Sequence, residues 1–206
     1  KTLQPAKKNN IAFIFIILIV ISQENPSSEY IFQQSPGYQL KSDDITALRN
    51  IPELPLPVSY SKDALPAIVD NSTEKYFRPI FGQQSFPNCM QSTSIAYNFT
   101  YEINRLRDLS ANVPENQYVT HFAWNFYNGG NGWYGVNYLH TFDVLKSCGT
   151  PSSETYGGFY NGGGERWMTG YDNYLSAMQN RIEGVYAIPV DTEEGILALK
   201  QWIFDH

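Results

Sequence analysis

Apolar residues recur with helical spacing after Cys89, and this run constrains the fold more than any other part of the chain. Ile95, Phe99, Ile103 and Leu106 follow one another at intervals of four, four and three. That spacing predicts a single apolar stripe on a helix from Cys89 to about Leu109, with Asn104, Arg105, Arg107 and Asp108 crowding its far end toward solvent. A stripe of that length belongs in a core, so whatever opens the helix is mounted on a rigid element. What opens it is a thiol. Pro87-Asn88 supplies a turn and an N-cap candidate, which places the Cys89 sulfur in the first turn, where backbone N–H groups point at it and the helix dipole favours an anion. Such a setting lowers a thiol pKa and raises the thiolate fraction. Gln83, six residues upstream, is carried back beside the sulfur by the turn, and its amide is a donor suited to the tetrahedral oxyanion of acyl transfer.

Two further segments bear on the same chemistry. Asn128-Gly129-Gly130 offers a strand edge without Cβ atoms, which lets an extended peptide approach to hydrogen-bond distance; the same triplet also favours an ordinary turn in any protein. Val190-Asp191-Thr192-Glu193-Glu194-Gly195-Ile196-Leu197-Ala198-Leu199-Lys200 reads as the end of a strand, an acidic cap and a helix.

Taken together, Gln83, Cys89, the Phe99–Arg105 stretch, Asn128-Gly129-Gly130 and the Val190–Lys200 segment resemble the papain-like cysteine peptidases, especially divergent bacterial members. Asn128 follows Cys89 by 128 − 89 = 39 residues, close to that family's spacing. The likeness runs from roughly Leu54 to the end of the chain. It implies an α+β, papain-like fold of which mainly the helical lobe is present, with the β lobe largely beyond residue 206. It also implies roles: Cys89 as nucleophile, Gln83 as oxyanion donor, and Asn128, Gly129 and Gly130 as the substrate-binding element. The usual Cys-Gly-Ser-Cys-Trp is missing, and another register would put Ser92 at the nucleophile position with Cys89 as a structural cysteine. Tyr127 then stands where the partner cysteine belongs, and the 39-residue spacing is lost. In such enzymes the histidine and asparagine follow the cysteine by about 130–150 residues, whereas this chain stops at His206. The expectation is a piece of a longer protein, with the catalytic base in the remainder. His121 and His140 come too early for the family order and stand among aromatic residues.

The N-terminus predicts export. Lys1, Lys7 and Lys8 precede an apolar run from Ile11 to Ile21, 11 residues long, too short to span a bilayer and of the length of a signal-peptide core. The expected organisation is a signal peptide over 1–23, a linker or short pro-segment over 24–52, and the N-terminal part of the peptidase domain over 53–206. Localisation would be secreted, periplasmic or at the cell surface, with no stable membrane insertion once the leader is removed. In an oxidising compartment Cys89 and Cys148 could also pair, a bridge stabilising by roughly 4 kcal/mol.

Removal of the leader leaves about 180 residues, the size of one domain. A net charge of −6 with scattered basic residues makes nucleic acid an unexpected partner. No Cys/His cluster has zinc-ligand spacing and no loop has the phosphate-binding pattern, so neither metal nor cofactor is expected. Tyr and Trp cluster with Asn and Gly between Phe122 and Trp167, a surface suited to a peptide cleft or to stacking on sugars. Finer expectations are an extended approach over Tyr76–Phe81, a glycine-rich loop over Asn125–Val136, and a helix over Asn137–Lys146. A flexible loop over Gly157–Gly164, a helix over Tyr171–Ile182 with Tyr171, Tyr174, Leu175 and Met178 on its stripe, and a strand over Val185–Val190 follow. The function implied is an exported cysteine endopeptidase acting on peptide or protein substrates, incomplete in these residues. The alternative is a non-catalytic exported binding protein, for peptide or polysaccharide, on the same scaffold.

Overall fold

The computed structural model describes residues 14–17 (backbone only), 41–54, 65–80, 87–157 and 170–206. Gln83, the Pro55–Tyr60 segment and nearly all of the 157–164 loop lie outside the described residues. The described chain is mainly helical. Its centre is one long helix in three parts: α2 (Cys89–Gln91), a π-helical segment (Ser92–Phe99) and α3 (Thr100–Arg107). Ile95, Phe99 and Ile103 are wholly buried along it and meet Tyr118, Val119, Phe122, Phe142 and Leu145 in the core. The stripe departs from expectation at its end, where Leu106 is exposed and Asn104 is buried, its amide donating to the Asn116 carbonyl at 2.8 Å. Asp108 ends the helix in the left-handed region (φ 55°), a conformation Asp tolerates. Lys75 at 2.7 Å and the Tyr76 hydroxyl at 2.8 Å both hold the Asp108 carboxylate.

The π segment has a local cause. Three consecutive hydroxyls turn back on the helix: Ser92 donates to the Asn88 carbonyl at 3.0 Å, Thr93 to that of Cys89 at 3.1 Å and Ser94 to that of Met90 at 2.6 Å. Hydroxyls on these carbonyls compete with the backbone ladder and favour the wider register, although the Ser92 N–H still reaches the Asn88 carbonyl at 2.8 Å.

Against this helix pack α4 (Thr120–Tyr127) and α5 (Tyr138–Ser147), which run antiparallel. Tyr127 at the end of α4 stacks on His140 in the first turn of α5, while Thr150, just past α5, donates to the Val119 carbonyl before α4. Helix α4 is absent from the sequence expectations, and the glycine-rich loop starts at Asn128 rather than Asn125. Phe122, Ala123 and Trp124 are consecutive and all buried, which hides the helical period. Helix α1 (Ser42–Arg49) lies within the 24–52 segment read as a linker or short pro-segment. It buries Leu48, and its Asp44 accepts a hydrogen bond from Asn137 at 2.9 Å. Tyr76 and Phe77 form a turn, not an extended approach, with the Phe77 N–H on the Glu74 carbonyl at 3.0 Å.

After α6 (Ser153–Tyr156), helix α7 (Tyr171–Met178) buries Ala177 and exposes Tyr171, Leu175 and Met178. Its expected stripe is therefore mostly on the exposed face, Tyr174 being the member that packs against the core. Strand β2 (Gly184–Ala187) is shorter than expected, since Pro189 has no N–H to continue it. It pairs in parallel with β1 (Ile14–Ile17), four residues of the run read as a leader core, and Glu53 bridges to Ala187. Helix α8 (Glu193–Asp205) closes the described chain, capped by Thr192 through the Gly195 N–H at 3.1 Å. Among the described residues, no helix is long and apolar enough to cross a membrane.

Glu102 is the charged residue this core tolerates least. Burial pushes its carboxyl up to about 7, against the opposing pull of Arg105 at 3.5 Å. The unfolded chain releases this proton near the ordinary value of 4.5, so between about pH 4.5 and 7 the folded state holds a proton that the unfolded state does not. The group's contribution is present below that window and lost as pH rises through it. Glu102→Gln is expected to remove about 1–3 kcal/mol of pH-dependent destabilisation. The check is thermal melting at pH 5 and pH 8, where the wild-type decline should shrink in the variant.

Candidate active site

Cys89 is the first residue of α2, exposed and unpaired with any other cysteine. Two residues close to it in sequence are not exposed at all. Asn88 and Gln91 are both wholly buried. Asn88 occupies the N-cap position without capping: its side-chain amide donates instead to Thr120 Oγ1 at 2.9 Å, which ties the turn before the sulfur to the start of α4. Gln91 Nε2 donates to the Val136 carbonyl at 2.9 Å and to Thr141 Oγ1 at 2.7 Å, which ties the turn after the sulfur to the start of α5. The thiol is thus held between two buried amides, each fixed to a different helix. Asn88 Oδ1 and Gln91 Oε1 are buried without a hydrogen-bond partner among the described residues.

Tyr138, the first residue of α5, completes the surroundings. Burial raises the pKa of its phenol, Thr93 opposes that, and the nearby Cys89 sulfur adds to it. Asn137 caps α5 through the His140 N–H at 2.9 Å and so orients this turn. Thr93, Tyr138 and Cys89 therefore share one surface at the helix start. Ser92, the nucleophile of the other register, is buried, and its hydroxyl is used on the Asn88 carbonyl.

Cys148 caps the far end of α5 and is also free. Cys89 lies beside Tyr138 at the opposite end of α5, a helix roughly 15 Å long, and a disulfide spans at most about 7 Å between Cα atoms. Of the two states the sequence leaves open, paired or free, the structure has both thiols free.

Asn128 is buried, donates to Asn125 Oδ1 at 3.1 Å and receives the Gly130 N–H at 2.9 Å. Gly129 (φ 66°) and Gly130 (φ 74°) are both left-handed, so the element is a turn rather than an extended edge. Among the described residues nothing lies within 4 Å of where a Cβ would stand on either glycine, which leaves their outer face open there to another backbone. Further along this loop the Trp124 indole donates to the Tyr134 carbonyl at 2.7 Å. Trp133 and Tyr134 themselves are 67% and 64% exposed.

No family model matches the chain, and comparison with curated proteins and with solved structures returns no significant match.

The chemistry therefore rests on the side chains. An accessible thiol at a rigid helix start can attack an electrophilic carbon, given a base to take its proton. The described histidines are poorly placed for that task. His121 is buried edge-on against Tyr156 at 4.5 Å. His140 lies flat on Tyr127 at 4.2 Å, and at two residues from Tyr138 it faces away from that side of α5. His206 stacks on Trp202, and its carbonyl accepts from Tyr101, roughly 18 Å along the central helix from Cys89. Among the described residues no group of three or more His, Cys, Asp or Glu could hold a metal ion. The sequence singles out Cys89 but not Gln91, Thr93 and Tyr138, which surround it in the structure. The available signal was the polar run Gln91-Ser92-Thr93-Ser94 at the head of a helix otherwise destined for the core.

Proposed function

We propose that this chain is the N-terminal part of an exported, papain-like cysteine endopeptidase. The Cys89 thiolate attacks the scissile carbonyl carbon, forming a C–S bond as the carbonyl electrons move to oxygen. The oxyanion is held by the Cys89 N–H and the Gln83 amide. Collapse breaks the C–N bond, and the amine leaves with a proton returned by a histidine supplied from outside these 206 residues. Water then hydrolyses the thioester to a carboxylic acid and the free thiol. Gly129 and Gly130 would receive the substrate backbone on their open face, and the β lobe would close the cleft from beyond this segment. The observation that carries the proposal is the accessible Cys89 thiol at the head of a buried helix, braced on both sides by buried amides.

Alkylation with iodoacetamide followed by peptide mapping tests it. Cys89, exposed at its helix start, is expected to be modified roughly tenfold faster than the half-buried Cys148. Equal rates, or a Cys89 that resists reagent in the folded protein, would remove the nucleophile. A binding protein on the same scaffold is the second reading, favoured by the exposed Trp133 and Tyr134 on a loop fixed from beneath by Trp124. An inert Cys89 together with saturable quenching of tryptophan fluorescence by oligosaccharide would select it.

A further inference from the structure

Gln91 is costly where it stands. A wholly buried amide with one oxygen unpartnered among the described residues is less favourable than an apolar side chain of similar size, unless its remaining bonds do something an apolar residue cannot. What they do is join two parts of the proposed site. The Val136 carbonyl closes the loop that starts at Asn128 and contains Gly129 and Gly130. The Thr141 hydroxyl belongs to the first turn of α5, and itself donates to the Asn137 carbonyl at 3.1 Å. Both groups converge on the Gln91 Nε2 amide, two residues from the sulfur. We propose that Gln91, with Thr141 as its anchor, is a positioning residue that sets the separation between the Cys89 thiol and the substrate-binding loop.

This deepens the peptidase reading and rests on it. A reagent that touches only the sulfur is indifferent to where the loop lies. A peptide that must reach sulfur and loop together is not, because displacements near 1 Å at a reacting centre cost orders of magnitude in rate.

The test uses the full-length protein and two alkylating agents, iodoacetamide and a peptidyl chloromethyl ketone, with melting curves taken for each variant. Wild type is expected to react with the ketone saturably and faster than with iodoacetamide. Thr141→Val, which removes one of the two acceptors at nearly constant volume, is expected to lower the ketone rate roughly tenfold while changing the iodoacetamide rate less than about twofold. Thr141→Ser, which keeps the hydroxyl, should restore the ketone rate, and Gln91→Met should behave as Thr141→Val if it folds. Rates that fall together for both reagents, a ketone rate that stays unchanged in Thr141→Val, or a failure of Thr141→Ser to rescue would each overturn the positioning role. A wild-type protein with no preference for the peptidyl reagent overturns the peptidase reading itself, and the clamp with it, before any variant is compared.

Discussion

Cys89→Ala in the full-length protein is expected to lower peptide hydrolysis by roughly 10⁴- to 10⁶-fold, the loss typical of deleting a nucleophile whose partners cannot act without it. The same substitution should leave the melting transition nearly unchanged. The side chain is exposed and makes no disulfide, and surface replacements of that kind stay within about 0.5 kcal/mol. The two measurements together separate chemistry from structure: a variant that loses activity and stability in parallel would make Cys89 a folding residue, and one that keeps activity would end the thiol mechanism.

The second large effect is on the fold. Gly149 sits at φ 71° in the turn after α5, and a Cβ there would overlap the Ala177 carbonyl oxygen and stand 2.9 Å from the carbonyl carbon. Both are backbone atoms of α7, so no side chain can swing aside. Gly149→Ala is expected to cost roughly 2–4 kcal/mol, the sum of a left-handed backbone penalty and forced overpacking. In a protein of this size that is a fall in Tm of about 5–15 °C. Gly129→Ala provides the control, since Gly129 has nearly the same φ but open space around it, and its cost should be only about 1–2 kcal/mol. Similar melting shifts for the two variants would mean that the turn and α7 do not pack as closely as described.

These cases also show where the sequence was legible. Ile95, Phe99 and Ile103 declare a buried helix face because four-residue spacing has one geometric solution in a helix. Asn137 declares the start of α5 because its side chain can satisfy a free N–H. Tyr171, Leu175 and Met178 mislead. They share a face by spacing, yet the structure leaves them exposed and turns Ala177 and Tyr174 to the core. Helix α4 was hidden for the opposite reason, since six consecutive residues from Thr120 to Asn125 are buried, polar and apolar alike, which leaves no period to detect.

The chain by itself determined that a thiol opens a long helix, that the helix belongs in a core, and that polar residues follow the thiol immediately. Those are local facts, fixed by which residues adjoin which and by the period of the backbone. Only the tertiary structure decided that Cys148 is out of reach, and that Asn88 and Gln91 bind the thiol's turn to α4 and α5. Each of those depends on helices far apart in sequence being brought to hydrogen-bond distance, and burial of the apolar face is what brings them there.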